Sequence, residues 1–270
     1  MLRAYGYLVK MRILTALAYR FEVWIGMIGD IILLAASVYI WKAAYAGGAS
    51  ATLGAGAAQI GLQSMVTYTV VSVLLAAVFQ TGVQNTIYSQ VREGNIALDF
   101  MKPIPLLGIY LSDDLGSMAS ALVNKAIPLI IVAALLFGFP MPVSTGAFAV
   151  FTMSCLFSFT ILWLMSALVG LIAFWVIELG NLGMMKDAIV RILSGSLVPL
   201  WFFPESVQKI SEWLPFQYTY QTPIGIYIGQ IPLDRALQEI VIQGLWIIVF
   251  MLLLGLVWRR ARGKVMVQGG

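Results

Sequence analysis

The stretch Arg191-Ile-Leu-Ser-Gly-Ser-Leu-Val-Pro-Leu-Trp-Phe-Phe-Pro204, continued by Glu205-Ser-Val-Gln-Lys-Ile-Ser-Glu-Trp-Leu-Pro-Phe216, decides the fold. Ile192 to Pro204 carries no charge but is too short to cross a bilayer alone, because a spanning helix needs about 20 mostly apolar residues. Extending it backwards supplies the length and sets Lys186, Asp187 and Arg191 at the inner end, where long basic side chains reach the headgroups. Beyond Pro204 apolar character returns in pieces broken by Pro215, Pro223 and Pro232. Broken helices at membrane depth are tolerated only where they are buried in protein or line water. The stretch therefore predicts a span over residues 181–203. A re-entrant hairpin in the outer leaflet follows over residues 204–232, marked by Pro204, Trp213, Leu214, Pro215 and Phe216.

Working outward, 61% of the residues are hydrophobic and 10% charged, with a mean hydropathy of +0.93, where soluble domains carry about a quarter charged residues. This is the composition of an integral membrane protein. Ala43 to Val91, Ala126 to Ile177 and Ile240 to Trp258 contain no Asp, Glu, Lys or Arg. The second run, interrupted at Gly138-Phe-Pro-Met-Pro142, holds parts of two crossings. Alternation of the kind barrel strands show is absent, so the class is all-α. With no His and Cys155 alone, a thiolate or imidazole metal site and an intrachain disulfide are both excluded. Cys155 sits in an apolar run and reads as a small buried or lipid-facing residue. The net charge of +4 does not indicate nucleic acid, since the charges collect at helix ends, the pattern that fixes membrane orientation. Met1 to Arg20 lacks the pattern of a cleavable signal.

In Met1 to Arg20, Leu2, Tyr5, Val9, Ile13 and Leu17 recur at helical spacing with Arg3 and Lys10 on another face, which predicts an N-terminal amphipathic helix in the membrane interface. Spans follow over residues 21–45, 60–82, 106–139, 145–176, 181–203 and 236–258, with a Gly/Ala-rich external loop from Gly47 to Ala58 and the fourth span ending at Glu178-Leu-Gly180. Twelve Lys and Arg fall in the inner segments of this arrangement. Lys42, Lys209 and Arg235 alone fall outside, and Lys125 lies within a span. That asymmetry predicts six crossings with both termini cytoplasmic. Asp30 and Lys125 are costly in hydrocarbon and become candidate pathway residues, although a lysine in a helix's inner half also snorkels. The polar connection over residues 84–105 predicts short helices on either side of Gly94. It would present Arg92, Glu93 and Asp99 to water and Ile96, Leu98 and Phe100 to an apolar surface, either a partner's groove or the bilayer. The aromatic set Trp201, Phe202, Phe203, Trp213, Phe216, Tyr218 and Tyr220 reads as an outer-interface anchor.

These features resemble the permease subunits of ABC-2 type exporters. The resemblance rests on Arg92-Glu-Gly94 with Lys102-Pro-Ile104, and on Ser194-Gly195 leading through Pro199 and Phe203-Pro204 to Leu214-Pro-Phe216. It implies a single ABC-2 transmembrane domain in a plasma membrane, the bacterial inner membrane, working as a homodimer or heterodimer of permease subunits. It also implies a coupling helix between spans two and three, here Gln90, Arg92, Glu93, Gly94, Asn95 and Ile96, docked on a separate ABC ATPase. The chain has no Gly-x-x-x-x-Gly-Lys-Ser/Thr loop, so ATP and Mg are expected on that partner and no cofactor or enzymatic activity on this chain.

The rival from physical chemistry is a stand-alone carrier or channel using Asp30, Asp113, Asp114 and Lys125 for ion coupling. The absence of a visible internal repeat weighs against a carrier built from inverted halves. A membrane enzyme is disfavoured by the lack of His and of clustered carboxylates.

Overall fold

A computed structural model describes residues 2–18, 20–47, 60–138, 141–176 and 181–268. All regular structure among them is helical: α1 (Leu2–Ala18), α2 (Arg20–Ala46), α3 (Leu62–Val78), α4 (Val83–Arg92), α5 (Ile96–Phe100) and α6 (Leu106–Ala121). A π turn (Leu122–Ala126) joins α6 to α7 (Ile127–Phe137), and α8 (Thr145–Leu171), α9 (Leu182–Leu193), α10 (Glu205–Glu212), α11 (Gln221–Tyr227) and α12 (Leu233–Gln268) follow. The external loop expected from Gly47 to Ala58 lies outside the described residues beyond Gly47. Glu178-Leu-Gly180 and Phe139-Pro140 also lie outside them.

Five stretches are long and apolar enough to cross a membrane: Val23–Ala46, Leu62–Arg92, Leu106–Phe137, Thr145–Phe174 and Leu233–Lys264. The shortest has 24 residues, which at 1.5 Å per residue reaches about 36 Å, beyond the ~30 Å hydrocarbon core. The chain is a multi-pass helical membrane protein.

The segment expected as one continuous span over residues 181–203 differs. α9 is a helix of 12 residues, about 18 Å long, and it stops at Leu193. Gly195 takes φ +79°, a conformation open to glycine and strained for residues with a Cβ. Pro199, which lacks an N–H and disfavours helical geometry at Val198, prevents the helix from resuming. Three successive carbonyls at this break accept hydrogen bonds from other elements. Gln221 N–H donates to Ser194 O at 2.9 Å, the Tyr68 hydroxyl lies 2.7 Å from Gly195 O, and the Ser72 hydroxyl donates to Ser196 O at 2.6 Å. A break whose backbone is satisfied by protein meets the condition for irregular chain in a non-aqueous surrounding.

α3 and α8 form the centre of the bundle, with 78% and 61% of their most apolar windows buried, against 11% for α2 and 17% for α12. In lipid, apolar character does not separate inside from outside, so small and hydroxyl-bearing side chains mark the interior. Thr67, Thr69, Ser72, Ser154, Ser158 and Ser166 are all buried. Thr67 and Thr69 donate back to the carbonyls of Gln63 and Met65 within their own helix. Gln243, inside the uncharged run of α12, is fully buried. Its Nε2 reaches Tyr218 O at 2.7 Å, Ser158 Oγ at 3.1 Å and Ser154 O at 3.3 Å, tying α12 to α8 and to the segment after α10.

α1, expected as an interfacial helix, is packed lengthwise along α6. Gly108, Ser112, Gly116 and Ser120 recur every fourth residue on α6 and give a flat track of small side chains. Gly108 faces Tyr5, and a Cβ at Gly116 would stand 2.7 Å from Arg12 Cβ and 3.0 Å from Val9 O. Later residues of α1 meet later residues of α6, so the two helices run parallel.

Candidate functional site

The second long stretch does not run straight into the loop that follows it. α3 ends at Val78, and α4 starts afresh at Val83 after the bend Phe79–Gly82. The new N-terminus exposes amide donors and the positive end of the helix dipole. Asp114 of α6 supplies the cap, with Oδ1 2.8 Å from Gly82 N and Oδ2 3.1 Å from Val83 N. Gln80 and Thr81, in the bend, face a cavity of about 380 Å³ between α2, α3, α8, α9 and the break after α9.

The cavity is polar for a membrane bundle. Ser37, Tyr68, Thr69, Ser72, Thr81, Ser166 and Ser196 contribute hydroxyls, and Leu33, Val73, Phe79, Leu162, Val190 and Leu197 contribute apolar wall. Lys186, Asp187, Arg191 and Asp30 bring charge. The Lys186 ammonium donates to Ser166 Oγ at 2.8 Å and lies 2.8 Å from Asp187 Oδ1. Ser166 Oγ is in turn 2.8 Å from Thr81 Oγ1, so a hydrogen-bonded chain links α9 through α8 to the bend above α4. Among the described residues no carboxylate lies within 4 Å of the Arg191 guanidinium.

The structure brings Asp30 and Lys125 together. Lys125 Nζ stands 3.8 Å from Asp30 Oδ2, with the side chains 17% and 22% exposed, too long a separation for a hydrogen bond but within ion-pair range. The π turn accounts for the lysine's position. Pro128 has no N–H, and its ring would clash with the carbonyl of Asn124 in a regular helix. Widening the turn so that Ile127 N bonds Leu122 O absorbs the misfit, a device often found at functional positions. Asp30 faces the large cavity, and Lys125 faces a second one of about 350 Å³ between α1, the start of α2 and α6. Gln80 lines both. Asp113 and Asp114 do not join this group. Asp113 lies 3.7 Å from Arg12, Asp114 caps α4, and neither lines the cavity that Asp30 lines.

In the loop over residues 84–105, short helices do flank Gly94, which turns at φ +75°. Glu93 shapes the turn by accepting from Ser89 Oγ at 2.6 Å and from Asn95 Nδ2 at 3.0 Å. Arg92, Glu93, Gly94 and Asn95 are exposed, Gln90 is half-buried and Ile96 is buried. Two residues fall opposite to expectation. Asp99 is buried and accepts from Lys102 Nζ at 2.6 Å and Tyr110 Oη at 3.0 Å, while Leu98 is 64% exposed. Helical phase explains it: Ile96, Asp99 and Phe100 share one face at i, i+3 and i+4, and Leu98 is on the other. Phe100 stacks on Trp258 of α12, with centroids 5.4 Å apart.

The chain after α9 also sorts by position. Trp201, Tyr218 and Tyr220 are buried rather than displayed at an interface, Phe202 stacks on Trp41, and Trp213 is 83% exposed. Pro215 is buried, Leu214 and Phe216 are half-buried, and Pro204 is exposed at the start of α10. Tyr68, Ser166, Gln221 and Gln243, which organise the cavity and the break, were not singled out from sequence. Their only signal is a polar side chain inside an uncharged run.

A model of the ABC-2 family transporter protein matches residues 60–269, from just before α3 to the end of α12. No curated protein matches the chain. The matched region holds the bend at Phe79–Gly82, the loop around Gly94 and most of the lining of the large cavity. The chain therefore belongs to the ABC-2 transporter family, whose membrane proteins serve as permease subunits of ABC transporters rather than as enzymes.

Proposed function

We propose that this chain is the membrane half of an ATP-driven exporter. Two permease subunits enclose the translocation pathway, and a separate ABC ATPase carrying ATP and Mg docks on the inner loop at Gln90 to Ile96. The chain crosses the bilayer six times, the fifth time as α9 plus the broken stretch to Phe203. Residues 204–232 form a hairpin in the outer leaflet, and both termini face the cytosol. The large cavity, with Asp30 in its lining and Lys125 reaching it only through its ion pair with Asp30, is the part of the pathway belonging to one subunit.

The observation that supports this best is the bend at Phe79–Gly82. It joins the cavity to the loop: Thr81 bonds the chain leading to Lys186, and α4 runs from the bend to Arg92, Glu93 and Gly94. A push on the loop tilts α4 about its capped end and moves the cavity wall as a rigid body. Asp114, fixed on α6, is the fulcrum.

Glu93→Lys tests the coupling. The substitution removes both hydrogen bonds that shape the Gly94 turn and reverses the charge of the docking tip, far from the cavity. The expected result, in vesicles containing permease and ATPase, is transport reduced by at least about tenfold, the equivalent of ~1.4 kcal/mol, while the ATPase keeps its basal hydrolysis. Transport and ATPase co-purification both at wild-type levels would overturn the assignment of the loop.

A further inference from the structure

The second cavity, about 350 Å³ in volume, lies outside the route just proposed. Its polar lining is Arg12 and Thr15 from α1, Ser117 and Ser120 from α6, and Asn124 and Lys125 from the π turn, with Gln80 at the edge. Two cations line it, and no carboxylate does among the described residues. Among the described side chains, Asp113 lies 3.7 Å from Arg12 Nε and Asp30 lies 3.8 Å from Lys125 Nζ, both outside the lining, and neither separation is a hydrogen bond.

The donors here are underused. Arg12 spends its Nε on Ser117 Oγ at 2.9 Å. Among the described residues the Lys125 ammonium donates to nothing, although its side chain is only 17% exposed. Opposite it, Asp30 Oδ2 is buried without a hydrogen-bond partner. An ammonium has three donors, and with Asp30 Oδ2 in ion-pair range but beyond hydrogen-bond distance this one, held by a π turn beside a cavity, can turn its donors to an acceptor in that cavity. The ligand must carry negative charge, since two cations face it. It must present several oxygens, since Arg12 on α1, Ser120 on α6 and Lys125 in the π turn approach from separate elements, while the Thr15 and Ser117 hydroxyls already donate to Met11 O and Asp113 O. A tetrahedral oxyanion meets both requirements and a single carboxylate does not span them.

We infer that this cavity is a binding site for a phosphate-bearing anion, with Arg12 and Lys125 as its two charged contacts. The same turns carry exposed apolar side chains, Trp24 beside the lining residue Val23, and Leu122 and Val123 beside Asn124, so an apolar tail attached to the phosphate has a surface to lie on. Basic pockets between membrane helices take lipid headgroups by this combination. Binding bridges α1 to the π turn and draws Lys125 from Asp30, which loosens the partition that Gln80 and this ion pair make between the two cavities. The site needs only its own residues and stands whether or not the large cavity conducts.

The test uses the purified full chain in detergent, offered phosphatidylglycerol, phosphatidylcholine or inorganic phosphate. Retained lipid is read by native mass spectrometry, and stabilisation by thermal shift. The expected result is retention of phosphatidylglycerol over phosphatidylcholine, weakened by at least about tenfold in Arg12→Gln and again in Lys125→Gln, as loss of a charged hydrogen bond requires. Because Lys125→Gln alone leaves Asp30 unpaired, the double variant Asp30→Asn/Lys125→Gln, neutral on both sides, must show the same loss with its melting retained. Stabilisation by inorganic phosphate as strong as that by phosphatidylglycerol assigns the anion to a soluble source; stabilisation by the lipid alone assigns it to the membrane. Equal retention of the two lipids with no response to phosphate overturns the proposal, as does undiminished binding in the Arg12→Gln and double variants.

Discussion

Tyr68 shows how much of this bundle rests on single polar atoms. Its hydroxyl is 2.7 Å from both Gly195 O and Gln221 Oε1, its ring packs edge-on against Trp201, and the residue is 1% exposed. Gln221 Oε1 also accepts from Leu200 N at 3.2 Å, and Gln221 N–H takes the carbonyl of Ser194. Two side chains thus hold both sides of the break after α9. Tyr68→Phe keeps the ring and removes the donor, leaving Gly195 O buried with one partner fewer. The expected loss is about 1–2 kcal/mol, at the low end because unfolded chains in a membrane find substitute partners. Gln221→Leu removes the acceptor of Leu200 N–H, which also competes with Gly195 O for the single Tyr68 hydroxyl proton, and is expected to be the more damaging of the two. Reversible unfolding in mixed micelles checks both, and a Tyr68→Phe protein as stable as wild type would mean that Ser72 and Gln221 hold the break without it. Neither residue announces itself in the sequence, because a tyrosine or glutamine in an uncharged stretch looks alike whether it faces lipid, water or a released carbonyl.

Among the elements, the long helices were legible and the places where they stop being helices were not. Hydrophobic length fixes a crossing because the bilayer fixes the distance, so α3, α7, α8 and the middle of α12 follow closely from uncharged runs. The break at Ser194–Pro199 depends on whether partners exist for its carbonyls, which is a property of α3 and α11. In α5, grouping Ile96, Leu98 and Phe100 by hydrophobicity missed the helical phase that turns Asp99 inward to Tyr110. The track on α6 is similar: Gly108, Ser112, Gly116 and Ser120 read as unremarkable small residues until α1 lies on them. Gly116→Leu tests that track. Its Cβ would meet Arg12 Cβ and the backbone at Val9, so α1 has to lift rather than a side chain rotate, at about 1–3 kcal/mol of overpacking. The expected outcome is faster tryptic cleavage after Lys10 and Arg12, with the rest of the bundle unchanged. Gly116→Ala, smaller but carrying the same Cβ, should give an intermediate rate.

For the whole molecule the parity of crossings is set by the broken segment. With the N-terminus inside, the first two long helices return Arg92 to the inner face, and the next two bring Lys186 there. If α9 and the stretch to Phe203 cross, Lys209 is outside and α12 carries Arg260 back in. If they only dip and return, Lys209 is inside and Arg260 emerges outside. The charge distribution favours crossing, since Arg259, Arg260, Arg262 and Lys264 cluster after α12 and a basic cluster holds its helix end on the inner side. The hydrogen bonds to Ser194, Gly195 and Ser196 remove the objection that a broken helix cannot enter hydrocarbon. In a Cys155→Ala background, single cysteines replacing Arg92, Lys209 and Arg260, all exposed, separate the two cases with a membrane-impermeant maleimide. Lys209→Cys is expected to react in intact cells, and Arg92→Cys and Arg260→Cys only after permeabilisation. Reaction of Arg260→Cys in intact cells with Lys209→Cys protected would make the broken segment a re-entrant loop in a five-span protein.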